Sequence, residues 1–222
     1  MKPPRQLALA LPHDESFARE DFLAGASNAG ALRTIERWPD WPDRALALVG
    51  PEGAGKSHLA AIWAEIAGAR RVSARALGET DLPAALATGT LVVEDADGKL
   101  DERALFHLIN LMRQEEGFIL ITARMAPATW AVGLPDLASR LRAVPTVAIE
   151  PPDDALLRAV LVKLFADRQL DVDESLIAYL VTRIERSFAS ARTAVEALDG
   201  EALRQKRAVT RALAVELLGR EA

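Results

Sequence analysis

Eight consecutive residues, Gly50-Pro51-Glu52-Gly53-Ala54-Gly55-Lys56-Ser57, carry the most specific chemistry in this sequence. They read G-x-x-x-x-G-K-S, the phosphate-binding loop. Gly50, Gly53 and Gly55 let the backbone take conformations that a Cβ disfavours. The loop's N–H groups can then converge on phosphate oxygens, helped by the positive end of a following helix. Lys56 is expected to reach the β- and γ-phosphates, and Ser57 to offer its hydroxyl to magnesium. A glycine-rich turn with a chance lysine is the bland alternative, and the flanks argue against it. Ala45-Leu46-Ala47-Leu48-Val49 is a short apolar run that reads as a buried strand, and Leu59, Ile62, Trp63 and Ile66 recur at i, i+3, i+4, i+7 as in a helix. The loop implies a nucleoside triphosphate and leaves its use open.

A second cluster lies about forty residues further on, in Thr90-Leu91-Val92-Val93-Glu94-Asp95-Ala96-Asp97. An apolar strand ending in carboxylates is what a magnesium-and-water station requires, since acids at the strand's C-terminal end can hold the metal directly or through water. Phe118-Ile119-Leu120-Ile121-Thr122 is another buried strand ending in a polar residue. Thr122 either orients water or touches the γ-phosphate, or it bonds its own loop. Asp136-Leu137-Ala138-Ser139-Arg140-Leu141-Arg142 carries two arginines. They are a solvated helix face, or one is a finger aimed at a phosphate; spacing does not decide.

The elements that must position these groups follow from the apolar periodicity. Arg71-Val72-Ser73 and Thr146-Val147-Ala148-Ile149 complete a set of five strands that alternate with helices. This alternation predicts a parallel sheet with helices on both faces. Ser27 or Asn28 is expected to cap a helix running to about Trp38, Asp81 a brief helix with Pro83 in its first turn, and Asp101 the next. Trp38 and Trp41 read as packing residues. Pro151-Pro152 breaks the pattern and marks a boundary. Beyond it, Asp153 or Asp154, Asp173, Ser190 and Thr210 are placed to cap four helices. Ser190 as cap puts Arg192 in a first turn, where its charge opposes the helix dipole and suggests an anionic partner. The expected domains are a tail at 1–15, an α/β nucleotide-binding domain at 16–150 and a helical lid at 151–222.

Length and composition bound the rest. The 222 residues are half hydrophobic but only 5% aromatic, with a formal net charge of −5, so no overall field draws the chain to nucleic acid. With no cysteine, disulfides and thiolate chemistry are excluded, which is compatible with the cytosol. His13, His58 and His107 are scattered without ligand spacing. No run approaches a membrane span. The N-terminal segment holds Gln6-Leu7-Ala8-Leu9-Ala10-Leu11 between prolines. This alternation suits an extended strand that packs on its own domain, or a docking peptide that fits leucines into a partner's groove.

Taken together, these stations resemble the AAA+ ATPases, and more narrowly the DnaA/Hda branch. Gly55-Lys56-Ser57-His58-Leu59 is similar to the branch's G-K-[ST]-H-L, and Phe106-His107-Leu108-Ile109-Asn110 to its F-x-x-x-N helix. Ser139-Arg140-Leu141 followed by Ile149-Glu150-Pro151-Pro152-Asp153 resembles its S-R-[FL] finger segment and I-x-P-P-[DE] hinge, and Gly25-Ala26-Ser27-Asn28 its G-x-S-N approach to the nucleotide pocket. The resemblance spans roughly Phe17 to Leu218. It implies a P-loop AAA+ fold with a parallel five-stranded sheet and a C-terminal helical lid. It implies ATP or ADP with Mg2+ as cofactors, held by Gly50 through His58 (Gly50, Pro51, Glu52, Gly53, Ala54, Gly55, Lys56, Ser57 and His58) and by Arg192. Glu94 and Asp95 take the Walker B places, Thr122 the sensor I place, Arg140 that of an arginine finger acting on a neighbouring subunit's nucleotide, and Arg192 that of sensor II. Ser57 and Asp95 are the implied metal ligands.

Two features point, within that resemblance, away from an initiator and towards a regulator of one. The chain ends at the helical lid, without the helix-turn-helix domain that an initiator uses to hold DNA. It also carries Gln6, Leu7, Leu9 and Leu11 in a peptide similar to the Q-L-x-L-x-L by which the Hda subgroup binds the replication sliding clamp. The implied role is negative regulation of replication initiation in the cytoplasm, with the sliding clamp and a DnaA-type initiator as partners, Arg140 presented to the initiator's ATP, and no sequence-specific DNA contact. An autonomous clamp- or helicase-loading ATPase working as a homo-oligomer, and a non-hydrolysing nucleotide-dependent scaffold, remain the alternatives. One departure bears on the choice: Glu94 stands where the branch usually has Asp. Either Asp95 takes over the metal, or hydrolysis by this chain is weak.

Overall fold

The computed structural model describes residues 17–98 and 100–219, so the expected docking peptide, Gln6 to Leu11, lies outside the described residues. The chain divides into two compact units with a boundary between Pro151 and Pro152.

The first unit, from Phe17 to Pro151, is built on a five-stranded sheet. Its strands are β1 (Ala45–Val49), β2 (Arg70–Ser73), β3 (Thr90–Glu94), β4 (Phe118–Ala123) and β5 (Thr146–Ala148), in the order β2-β3-β4-β1-β5, and every pair is parallel. The central strands are near-continuous apolar runs because both faces are covered. On one face, Leu46, Leu48, Val92 and Leu120 pack with α1 (Ala29–Glu36) and α2 (Lys56–Ala67). On the other, Leu91, Val93, Ile119 and Ile121 pack with α3 (Leu82–Ala85), α4 (Glu102–Gln114) and α5 (Pro135–Ala143). The two sets alternate along each strand, as the two-residue period of a strand requires.

Local chemistry sets most element ends. Asp81 and Asp101 cap α3 and α4 by accepting from Ala84 N–H and Ala104 N–H. Helix α2 closes at Gly68, which takes a left-handed φ of 64°. Its buried face is Leu59, Ile62 and Trp63; Ile66, expected on that stripe, is 48% exposed, and Ala67 packs against the cluster instead. Helix α1 ends at Glu36 rather than near Trp38, and neither Ser27 nor Asn28 caps it by side chain. Asn28 occupies the cap position, but its Oδ1 accepts from Gly25 N–H at 2.8 Å and its Nδ2 donates to Leu23 O at 3.0 Å. The side chain therefore braces the preceding loop.

The second unit is helical: α6 (Asp154–Asp167), α7 (Glu174–Arg183), α8 (Phe188–Gln205) and α9 (Arg211–Leu218). Leu157, Leu161, Phe165, Leu180, Val195, Leu198 and Leu213 form its own core. Asp153, Asp173 and Thr210 cap α6, α7 and α9. Helix α8 is capped by Ser187, whose Oγ accepts from Ser190 N–H at 3.0 Å, and not by Ser190. The earlier start moves Arg192 out of the first turn. The dipole effect fades within that turn, so the inferred anionic partner loses its electrostatic basis.

Candidate nucleotide site

The loop between β1 and α2 has the backbone that phosphate binding requires. Gly53 and Gly55 take φ of 72° and 96°, a region where a side chain is strained. Gly50 is constrained differently, since a Cβ there would meet Ile149 O at 2.5 Å. Gly55 sits at the cap position of α2 with no side-chain cap, so first-turn amides face an open end.

Lys56 is 7% exposed, and its Nζ donates to Gly50 O and Pro51 O, each at 2.8 Å. An ammonium has three donors, so one remains for an anionic oxygen. Burial pushes the Lys56 pKa below the usual lysine value, while the charges of Asp95, Asp97 and Glu52 oppose that shift. Pro51 and Glu52 are exposed on the loop and Ala54 is buried beneath it. Ser57, the second residue of α2, is exposed.

The strand order explains how the second cluster reaches the loop. Strand β4 lies between β1 and β3, pairing Leu48 with Thr122 on one side and Val93 with Ile121 on the other. Thr122, 1% exposed, accepts through Oγ1 from Asp95 N–H at 3.1 Å, and its carbonyl accepts from Ala96 N–H at 2.9 Å. The threonine thus holds the neighbouring strand's carboxylate-bearing turn rather than its own loop. Asp95 takes a left-handed φ of 55°, and its side chain is exposed. Such backbone is uncommon for a residue with a Cβ, and aspartate tolerates it better than most.

Glu94 goes elsewhere. Its Oε1 accepts from Arg71 Nη2 on β2 at 2.9 Å. Sequence reasoning missed Asp97 as a member of the site. Its side chain is 6% exposed and its Oδ2 accepts from Arg124 N–H at 2.9 Å and Arg124 Nε at 3.3 Å. The acid run advertised Asp97, but its partner is 27 residues away.

The remaining expected residues are distributed. His58, beside Ser57, donates from Nε2 to Ala18 O at 3.0 Å and meets Phe17 and Phe22 edge-on. Arg140 in α5 stacks its guanidinium 4.8 Å from the Phe106 ring centroid, with a buried Nη1 that has no hydrogen-bond partner among the described residues. Arg192 is half-buried in α8 of the helical unit. The structure thus brings Lys56, Asp95 and Asp97 into mutual influence around the loop and diverts Glu94.

These residues fit a magnesium–nucleotide. The glycine conformations, the uncapped helix start and the spare donor of Lys56 suit phosphate oxygens, while the exposed hydroxyl of Ser57 and carboxylate of Asp95 are the hard oxygen ligands magnesium prefers. When bound, the ion supplies charge to offset that of the phosphates.

No family model matches the chain. Among solved structures, domain III of the Thermotoga maritima replication initiation protein DnaA is similar with a TM-score of 0.76 at 17% identity, covering 95% of this chain and 98% of that one. AMPPCP-bound DnaA from Aquifex aeolicus is similar with a TM-score of 0.63 at 18% identity, over 84% of this chain and 68% of that one. The FIGL-1 AAA domain is similar with a TM-score of 0.64 at 17% identity, over 87% and 79%. At such identities the likeness speaks to the fold: a parallel five-stranded α/β unit with a helical C-terminal part, the fold of DnaA domain III and of AAA+ proteins.

Proposed function

We propose that this chain is a nucleotide-dependent regulator of replication initiation. It binds ATP or ADP with magnesium at the Gly50–Ser57 loop, docks on the sliding clamp through Gln6–Leu11, and presents Arg140 to the ATP of a DnaA-type initiator. The observation that carries the reading is the split of the paired acids: Asp95 acts on Lys56 while Glu94 is held by Arg71. Such a site suits holding a nucleotide better than turning it over. The fold likeness to DnaA domain III, and the AMPPCP bound by the Aquifex initiator, support adenine nucleotide and a replication context. Arg140 stacks on Phe106 with Nη1 buried and unpartnered among the described residues, so it has donor capacity that reaches a partner's phosphate once the guanidinium leaves that ring. Fingers of this kind are worth about 10³–10⁵ in rate.

The test is ATP hydrolysis by the initiator in the presence of this protein and DNA-loaded clamp. Stimulation is expected with wild type, lost with Arg140→Ala, and lost when Gln6–Leu11 is deleted. Unchanged initiator turnover with wild type refutes the reading and turns attention to the autonomous ATPase, whose own turnover Lys56→Ala would abolish.

A further inference from the structure

We propose that Arg71 locks Glu94 out of the magnesium position, and that Phe17, at the base of the N-terminal segment, seats the lock. The proposal rests on the loop being a magnesium–nucleotide site. Glu94 closes β3, at the strand end where a carboxylate can face bound phosphate. Arg71 on β2, two residues before Ser73, the register partner of Glu94, reaches along the sheet and pairs with Glu94 at 2.9 Å. The pair is partly sheltered, with side chains 35% and 22% exposed.

The Phe17 ring lies 5.8 Å from the Arg71 guanidinium carbon. An aromatic face over a guanidinium attracts the cation and excludes water from one side, which strengthens its ion pair. The same Phe17 ring meets His58 edge-on at 5.5 Å, Phe22 meets it at 5.1 Å, and His58 donates to Ala18 O. Residues 17–22 therefore touch both halves of the site: the first turn of α2 through His58, next to Ser57, and the end of β3 through Arg71 and Glu94.

Arg71 cancels the charge of Glu94 and fixes its longer side chain towards β2. Released, the carboxylate adds a negative charge beside Asp95 and raises affinity for a divalent cation. Whatever draws Phe17 off Arg71 then tightens magnesium binding, and by linkage bound magnesium favours the drawn-off state.

The experiment titrates magnesium into full-length protein with a fluorescent ADP, and repeats nucleotide binding in EDTA. Arg71→Met is expected to lower the half-saturating magnesium about tenfold, the size of removing one unit charge near a divalent ion at a partly exposed site. Phe17→Ala is expected to shift it in the same direction by less. Arg71→Met combined with Glu94→Gln should return it to the wild-type value, and binding in EDTA should weaken in Arg71→Met alone, where the freed carboxylate repels the phosphates. An unchanged or raised magnesium requirement in Arg71→Met, or a shift that survives Glu94→Gln, overturns the lock alone. Absence of nucleotide binding by wild type in either buffer overturns the functional reading and the lock with it. Thermal melts without nucleotide add an independent arm: Arg71→Met and Glu94→Gln should be non-additive, and strict additivity refutes the pair.

Discussion

Thr122→Val is the sharpest probe of how the site is held. The substitution keeps shape and volume almost unchanged but removes the Oγ1 that accepts from Asp95 N–H at 3.1 Å. Thr122 is 1% exposed, so water cannot readily replace the lost acceptor. Leaving this part-buried donor without its acceptor costs up to the range of about 1–3 kcal/mol seen for unpaired buried groups. Taking about 2 kcal/mol, and about 2–4 °C per kcal/mol for a chain of this size, the melting temperature should fall by about 4–8 °C. Thr122→Ser retains the acceptor and loses one methyl, a cost of about 0.8 kcal/mol. Denaturant titration should show the Val variant shifted in midpoint with an unchanged slope, the sign of altered stability rather than an altered denatured state. The functional readout separates the variants further. Asp95 already sits at a φ of 55°, and the Thr122 bond is what tethers its amide. Magnesium-dependent nucleotide binding should therefore weaken in Val and persist in Ser. A Val variant that melts with the wild type, or a Ser variant equally impaired in binding, would refute the tether.

Three further outcomes follow from the geometry. Gly50→Ala places a Cβ 2.5 Å from Ile149 O, so a backbone shift costing about 1–3 kcal/mol should appear in urea denaturation. Ser187→Ala removes the cap of α8 and should cost about 1 kcal/mol, whereas Ser190→Ala, whose amide rather than side chain makes the capping bond, should cost less. Glu201 is held down to about 2 by hydrogen bonds from Arg204 and Gln205. Because the folded value lies below the unfolded one, its contribution is present above about 4.5 and fades as pH falls through about 2. An NMR titration should place the Glu201 midpoint in that low range, and Glu201→Gln should flatten the acid limb of stability between those limits.

The strands were legible because buried parallel strands read as unbroken apolar runs; the β1 expected at Ala45 to Val49 has those bounds. The glycine loop was legible because its spacing is set by the backbone itself. What the sequence did not disclose is non-local. Nothing in Phe118 to Thr122 says that β4 lies between β1 and β3, so Thr122 could be assigned to phosphate, water or its own loop, but not to Asp95 N–H. The Arg71–Glu94 pair joins residues 23 apart on two strands, and periodicity carries no information about it. The starts of α1 and α8 differed from expectation for another reason, while Asp81, Asp101, Asp153, Asp173 and Thr210 cap as expected. Ser187 and Ser190 are both competent caps three residues apart, and residue type alone does not say that Ser187 accepts from Ser190 N–H. Asn28 had the right type for a cap, but bonding Gly25 and Leu23 satisfied its amide locally.

The central claim, that this site holds a nucleotide which the chain itself turns over poorly, is tested most directly by calorimetric titration of ATP and ADP with magnesium, run beside single-turnover hydrolysis. The account predicts saturable binding by wild type, loss of binding in Lys56→Ala, and hydrolysis far slower than that of an autonomous ATPase. Absent binding, or fast turnover abolished by Lys56→Ala, would contradict it.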